Sequence, residues 1–367
     1  MTSENTLGIY IHVPFCARKC SYCDFYSVNF RKNTAEEFVN AVIRNIVYYS
    51  DFSKITDTIY FGGGTPSLLT GTQISSIISE IARNFRLSEN TEITLEANPD
   101  TLTEKKLTEF YGAGVNRISI GVQSLKDSEL KFLGRLHSAE RAEKAVNDAY
   151  KVGFRNISCD IMTALPNQST ESLEYSLNRI TELPVTHISA YILKAEENTP
   201  FFADKIRSTL PDDDTVSEIY LRTVQVLESK GFYQYEVSNF AKYGYESRHN
   251  CRYWKCLDYI GIGPSAHSCC KGKRFAVDSS LAEFISDHFQ SVKITDPSPC
   301  GFEEYAMLRL RLKSGLDIGE FPERSAELLK KVPALVSAGY AEYKNNVISL
   351  TPKGFLVSNS VIEYLIF

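Results

Sequence analysis

Short β-branched runs alternate with longer amphipathic segments six times between about residue 8 and residue 230, and this rhythm restricts the chain more than any other feature. "GIYIHV" precedes "TAEEFVNAVIRNIVYYS", "TDTIYF" precedes "GTQISSIISEIARNF", and "TEITLEA" precedes "TEKKLTEFYGAG". "NRISIGV", "RNISCDIM" and "THISAYIL" are each followed by a helical pattern in the same way. Strands spaced by helices predict βα units with right-handed crossovers, and hence a parallel sheet. Six units suit either an open doubly wound sheet or an incomplete barrel, and periodicity does not choose between them. In both, chemistry gathers at the carboxyl ends of the strands. "FCARKC", "GGGTP", "EANPD", "GVQS" and "CDIM" stand at five such ends.

The 367 residues exceed one compact core, so a second unit is expected. Beyond residue 230 the rhythm loosens into a stretch rich in Tyr, Cys and Gly, and from about residue 300 helices and a small hairpin follow in a winged-helix-like order. The reading divides the chain into a barrel-forming part at 1–230, a connecting region at 231–295, and a C-terminal domain at 296–367.

A net charge of -5 without basic runs gives no general affinity for nucleic acid or anionic membrane. No apolar stretch has the length of a membrane span, and the start "MTSENTLGIYIHV" has neither a basic region nor a cleavage site. The expected location is cytoplasmic, with membrane association only through an acceptor protein. Nine cysteines without a signal peptide then read as reduced thiols, available for metal or chemistry.

Three of them, Cys16, Cys20 and Cys23, share one loop at Cys-x3-Cys-x2-Cys spacing. A zinc site needs a fourth ligand, with His12 or Asp24 nearest, and neither is natural. A 4Fe-4S cluster accounts for the spacing better, because one iron can be left open for an exogenous molecule. S-adenosylmethionine (SAM) can chelate that iron through its amino and carboxylate groups, and an electron from the cluster then cleaves its sulfonium. The glycines of "FGGGTP" let backbone approach a ligand closely. Asp160 is a charge inside an apolar run, so it needs a partner; Arg135 could supply one, or else pair with the SAM carboxylate.

At these residues the chain resembles the radical SAM superfamily, whose proteins generally fold as partial six-unit barrels. More closely, it is similar to the oxygen-independent coproporphyrinogen oxidase (HemN) group, which includes haem chaperones of the HemW type. The likeness runs through "YIHVPFCARKCSYCDF", "FGGGTPSLL", "EANPD", "RISIGVQSL", "LGRLHSAE", "SCDIMTALPNQ" and "HNCRYWKCLDYIGIGPSAHS". It implies an α/β partial (β/α)6 barrel with a smaller C-terminal helical, winged-helix-like domain. Cys16, Cys20 and Cys23 are implied as cluster ligands, and Tyr10, Tyr22, Gly63, Gly64, Thr65, Glu96, Gln123, Arg135 and Asp160 as the SAM site.

Two activities follow from the resemblance. The oxidases decarboxylate two propionates of coproporphyrinogen III in porphyrin biosynthesis, whereas the chaperones bind haem and pass it to an acceptor protein. The oxidases carry a further cysteine where this chain has Phe25, and a longer segment ahead of the first strand. "HNCRYW" matches the His-Asn-x-x-Tyr-Trp signature of the chaperone branch. That match makes His249, Asn250, Tyr253 and Trp254 the candidate haem contacts, with His249 as an axial ligand. Read without the family, a single Trp beside Tyr and a lone His suit core packing better than haem contact. The expected function is a haem chaperone with a cluster, SAM and haem, partnered by an acceptor and an electron donor. No catalytic acid, base or nucleophile is named. Cys251, Cys256, Cys269 and Cys270 lie near the block, but adjacent cysteines rarely share one ion, and Cys159 and Cys300 sit elsewhere, so no second metal site is expected.

Overall fold

The computed structural model describes residues 5–50 and 54–367. Six strands, β1 (Thr6–Val13), β2 (Ile55–Gly63), β3 (Arg86–Ala97), β4 (Arg117–Gln123), β5 (Asn156–Thr163) and β6 (His187–Ile192), pair in parallel in chain order. Sequential order belongs to a singly wound, barrel-type sheet. A doubly wound sheet would reverse its order part-way, so the ambiguity left by periodicity is resolved.

Helices α1 (Lys32–Tyr48), α2 (Gly71–Asn84), α3 (Glu104–Gly112), α4 (Ala139–Val152), α5 (Thr170–Glu182) and α6 (Asp213–Ser229) follow the strands. Their starts are written in the sequence. Thr70 and Gln73 form a reciprocal capping box on α2, and Ser138, Ser169 and Asp212 cap α4, α5 and α6.

The segment after residue 230 extends the same sheet at both edges. Strands β7 (Tyr233–Gln234) and β8 (Asn239–Ala241) lie beyond β6, with β8 antiparallel to it. Past helix α7 (Arg248–Trp254), β9 (Tyr259–Ile262) pairs in parallel with β1. Strands β10 (His267–Cys270), β11 (Lys273–Val277) and β12 (Val292–Asp296) continue outward from β9. Because β1 and β6 each take another neighbour, the six central strands do not close on one another. The C-terminal unit combines helices α8 (Phe302–Arg309), α9 (Pro322–Ser337), α10 (Pro352–Leu356) and α11 (Ser358–Ile366) with a small antiparallel sheet. Its strands are β13 (Leu316–Asp317), β14 (Ala341–Lys344) and β15 (Val347–Leu350), with β15 in the middle. No described helix is long and apolar enough to cross a membrane.

Alternation along each central strand sorts the side chains into two sets. Ile9, Ile11, Ile59, Phe61, Leu95 and Ile118 point into the apolar core shared with the helices. Tyr10, His12, Thr58, Tyr60, Glu96 and Asp160 occupy the alternate positions, and they form a polar lumen. Helix α7 seals the end of that lumen at the strands' amino termini. There, Arg252 is 2% exposed, pairs with Asp57 at 2.5 Å and donates to Thr6 Oγ1 and the Asp258 carbonyl. Glu92 on β3 accepts from the Arg248 and His249 amides at the start of α7.

Replacing Arg252 by Met roughly keeps the volume but removes the donors to Thr6 and the Asp258 carbonyl and leaves Asp57 only the longer ion pair to Arg248 at 3.6 Å. The expected loss is about 3 kcal/mol or more, read as a lower urea midpoint. An unchanged midpoint would show that α7 does not anchor the barrel floor.

Candidate functional site

The loop bearing Cys16, Cys20 and Cys23 begins directly after β1. Its first cysteine lies on a short strand, Phe15–Cys16, paired in parallel with Val28–Asn29. The glycine run at the end of β2 straps it down. The Gly64 amide donates to the Val13 carbonyl at 2.8 Å, and the Thr65 amide to that of Phe15 at 2.6 Å. A Cβ at Gly64 would stand 2.6 Å from the Phe15 carbonyl oxygen, so only glycine permits this approach. Gly63 takes φ +106, and a Cβ there would strike the His12 ring.

Side chains from other strands reach the thiols. Thr65 Oγ1 donates to Cys16 Sγ at 3.7 Å, and Arg135 Nη1 lies 3.4 Å from both Cys20 Sγ and the Tyr22 hydroxyl. Arg135 is held by the Asn98 side chain and the Gly121 carbonyl. Burial pushes the Cys23 thiol above its ordinary range, and Cys20 and Cys16 add to the shift, which marks the three as near neighbours. Among the described residues no three His, Cys, Asp or Glu side chains converge on a point where one metal ion could sit. Three neighbouring thiolates on one loop can each hold one iron of a cluster. A cleft of about 500 Å³ opens beside the loop, lined in part by Arg18, Lys131, Gly134 and Arg135.

Below the loop lies the lumen. Glu96 accepts from the Tyr60 hydroxyl at 2.7 Å and from the Gly63 amide at 3.2 Å. Burial raises its carboxyl to about 7; Tyr60 opposes the shift and Asp160 adds to it. Gln123 ends β4 with φ 67, at a bulge in the pairing with β5. Asp160 is also raised, first by burial. Its partners are the hydroxyls of Ser119, at 3.2 and 3.3 Å, and Ser189. Of the two roles open to Arg135, a direct ion pair with Asp160 is not the one seen: the charges of Arg117 and Arg135 favour the carboxylate, but its hydrogen bonds come from hydroxyls on neighbouring strands, while those of Arg135 go to Cys20, Tyr22, Asn98 and the Gly121 carbonyl.

A second correction concerns His249. It is 0% exposed, at the floor of the lumen, not at its mouth. Its Nδ1 bonds Thr58 Oγ1 at 2.8 Å, its Nε2 bonds the Tyr253 hydroxyl at 2.9 Å, and its ring stacks on Tyr60. Burial, with Arg252 and Arg117 nearby, holds it well below the usual histidine range. With both nitrogens engaged inside the protein, the ring has none left for an iron. Asn250, Tyr253 and Trp254 are half-buried on the same helix.

Arg117 escapes the sequence reading. It begins β4, is 1% exposed, and its Nε and Nη1 have no hydrogen-bond partner among the described residues, while Glu92, Tyr60 and Asp160 lie close enough to feel its charge. A charged residue at the head of an apolar strand was the available signal.

The geometry can now be set beside known proteins. The radical SAM superfamily model matches residues 10–180, and the HemN C-terminal domain model matches residues 302–357. The heme chaperone HemW of Buchnera aphidicola subsp. Schizaphis graminum is 33% identical over 97% of this chain and 97% of its own length. That of Bacillus subtilis is 33% identical over 96% and 97%. The chain belongs to the HemW family of radical SAM proteins. Escherichia coli HemW is 40% identical over 71% of this chain and 69% of its own. Among solved structures, coproporphyrinogen III oxidase (HemN) of Escherichia coli, a radical SAM enzyme, superposes with TM-score 0.83 at 22% identity, covering 99% of this chain and 91% of that one. This likeness fixes the α/β radical SAM fold with its C-terminal domain. In this HemW-family chain, the position after Asp24 is Phe25, 68% exposed beside the cysteine loop.

Glu96 carries a testable consequence. Its folded carboxyl sits above its unfolded value, so its contribution to stability is present below the unfolded range near 4.5 and is lost as pH rises through about 7. Tyr60→Phe removes a hydrogen bond to the carboxylate and is expected to move the titration higher, read from the carboxyl stretch of the protonated form by infrared difference spectroscopy. A titration near the ordinary glutamate value would contradict the buried placement.

Proposed function

We propose that this protein is a haem chaperone that carries a 4Fe-4S cluster on Cys16, Cys20 and Cys23, binds SAM beside it, and delivers haem to an acceptor protein. The observation that carries the reading is full-length similarity to HemW proteins at 33% identity over 97% of both chains. The cysteine loop supports the cofactor assignment: its thiols are neighbours, they follow a strand's carboxyl end, and Thr65 and Arg135 reach the sulfurs.

Each residue then has a task. Cys16, Cys20 and Cys23 hold the cluster. Gly63, Gly64 and Thr65 keep the backbone of β2 close to it, with Tyr10 and Tyr22 packed alongside. Glu96, Gln123, Arg135 and Asp160 would line the place for SAM, with the carboxylates of Glu96 and Asp160 available as acceptors for its ammonium or hydroxyl groups and the Arg135 guanidinium available to its carboxylate. The chemistry such a pair of cofactors supplies is one-electron cleavage of a sulfonium bond, with an electron donor required. We assign haem contact on α7 to the half-buried faces of Asn250, Tyr253 and Trp254, with His249 as the residue that positions Tyr253 from beneath.

The oxidase reading has less support. Its structural relative is 22% identical, a level that speaks for fold alone, and Phe25 stands where the oxidases have a further cysteine.

Anaerobic reconstitution is expected to load about four irons and four sulfides per chain, and Cys16→Ala, Cys20→Ala or Cys23→Ala to abolish loading. The loaded protein is expected to take up haem one to one without consuming coproporphyrinogen. Trp254→Ala should weaken uptake, whereas His249→Asn should leave the Soret position unchanged, since no axial ligand is lost. Protoporphyrinogen formed at catalytic rates would replace the chaperone with the oxidase.

A further inference from the structure

Three cysteines spread along the sequence meet where α7, the outer strands and the C-terminal unit join. Cys300 lies within hydrogen-bonding reach of both Cys256 and Cys269. Cys256 follows α7 with φ 51, Cys269 lies on β10 opposite Tyr259, and Cys300 stands ahead of α8 with φ 65. Left-handed backbone is costly for a residue with a Cβ, so both turns are imposed by their surroundings. Glu304 on α8 fixes the site: one oxygen accepts from the Cys300 amide at 2.7 Å, and the other pairs with Arg274 of β11 at 2.6 Å.

We propose that Cys256 and Cys300 form a reversible disulfide by exchange with low-molecular-weight disulfides, making this junction a thiol-modification site that ties the C-terminal unit to the barrel. Exposure selects the pair. Cys256 and Cys300 are partly exposed, whereas Cys269 is 6% exposed.

The order of attack follows from the local chemistry. The hydrogen bond from Cys300 holds the Cys256 thiol below its ordinary range despite burial, so Cys256 is the nucleophile. Its thiolate attacks one sulfur of the small disulfide and releases one thiolate, leaving a mixed disulfide. The Cys300 thiol is pushed up to about 12, first by its hydrogen bond to Cys256. Once the Cys256 sulfur is tied up, that restraint ends. The Cys300 proton passes to the released thiolate, Cys300 attacks the Cys256 sulfur, and the second small thiolate leaves. Two protein thiols are oxidised by two electrons, and one small disulfide is reduced to two thiols.

The test uses the full chain with its cluster reconstituted, held anaerobically in mixtures of oxidised and reduced glutathione, then acid-quenched, alkylated and mapped by mass spectrometry. The expected result is a Cys256–Cys300 link that dithiothreitol reverses. Cys269→Ala should retain it, Cys256→Ser should lose it, and Cys300→Ser should trap glutathione on Cys256. Absence of any link at the most oxidising ratio, a link joining Cys269 to Cys300, or an unmodified Cys256 in Cys300→Ser would each overturn the proposal.

Discussion

The molecule depends on a polar lumen that must satisfy itself. A parallel sheet normally buries apolar side chains on both faces, yet here the alternate positions of the central strands carry Tyr10, His12, Thr58, Tyr60, Glu96, Ser119 and Asp160. Each such group costs free energy unless it is paired. The pairing runs across strands: Tyr60 to Glu96, Ser119 to Asp160, Ser158 to His187, and Thr58 to His249. Arg117 adds a buried positive charge among Glu92 and Asp160, which offsets part of the cost of holding carboxylates there. A lumen of this kind suits a polar ligand with both charges, and it explains why Glu96 sits near neutrality instead of fully ionised.

Much of this was legible in the sequence. All six strands and the helices behind them fall within a few residues of the periodic segments, because alternation and capping are local signals. The cysteine loop and "GGGTP" were legible through spacing and glycine chemistry. The strap between them was not, since it consists of backbone amides of Gly64 and Thr65 meeting carbonyls of Val13 and Phe15 across two strands. Asp160 illustrates the middle case: its need for a partner follows from burial, but the choice of Ser119 and Ser189 over Arg135 is set by strand register, which a single sequence does not encode locally.

The cysteines separate what spacing can reveal from what it cannot. Cys16, Cys20 and Cys23 lie in one short loop, so proximity is guaranteed by the chain. Cys256, Cys269 and Cys300 come together only because β10 returns antiparallel to β9 and α8 then packs near α7. Adjacency in sequence spoke against Cys269 and Cys270 sharing one ion, and on a strand such neighbours face opposite ways. The thiol cluster is a product of tertiary return.

His249 makes the same point from the other side. A histidine beside aromatic residues invites the reading of a ligand, but the packing of helix α7 places it elsewhere. Helix α7 packs at the amino ends of the strands, where Thr6 and Asp57 meet Arg252, while the cysteine loop leaves the carboxyl end of β1. The eight residues of β1 set these two ends about 25 Å apart. The two signatures by which the family is recognised therefore occupy opposite ends of the same strands. A ligand resting on the outer face of α7 does not touch the cysteine loop, and the side chains between them form a column, hydrogen-bonded from Tyr253 to His249 and from Tyr60 to Glu96 with the His249 ring stacked on Tyr60, whose first duty is to keep the lumen satisfied.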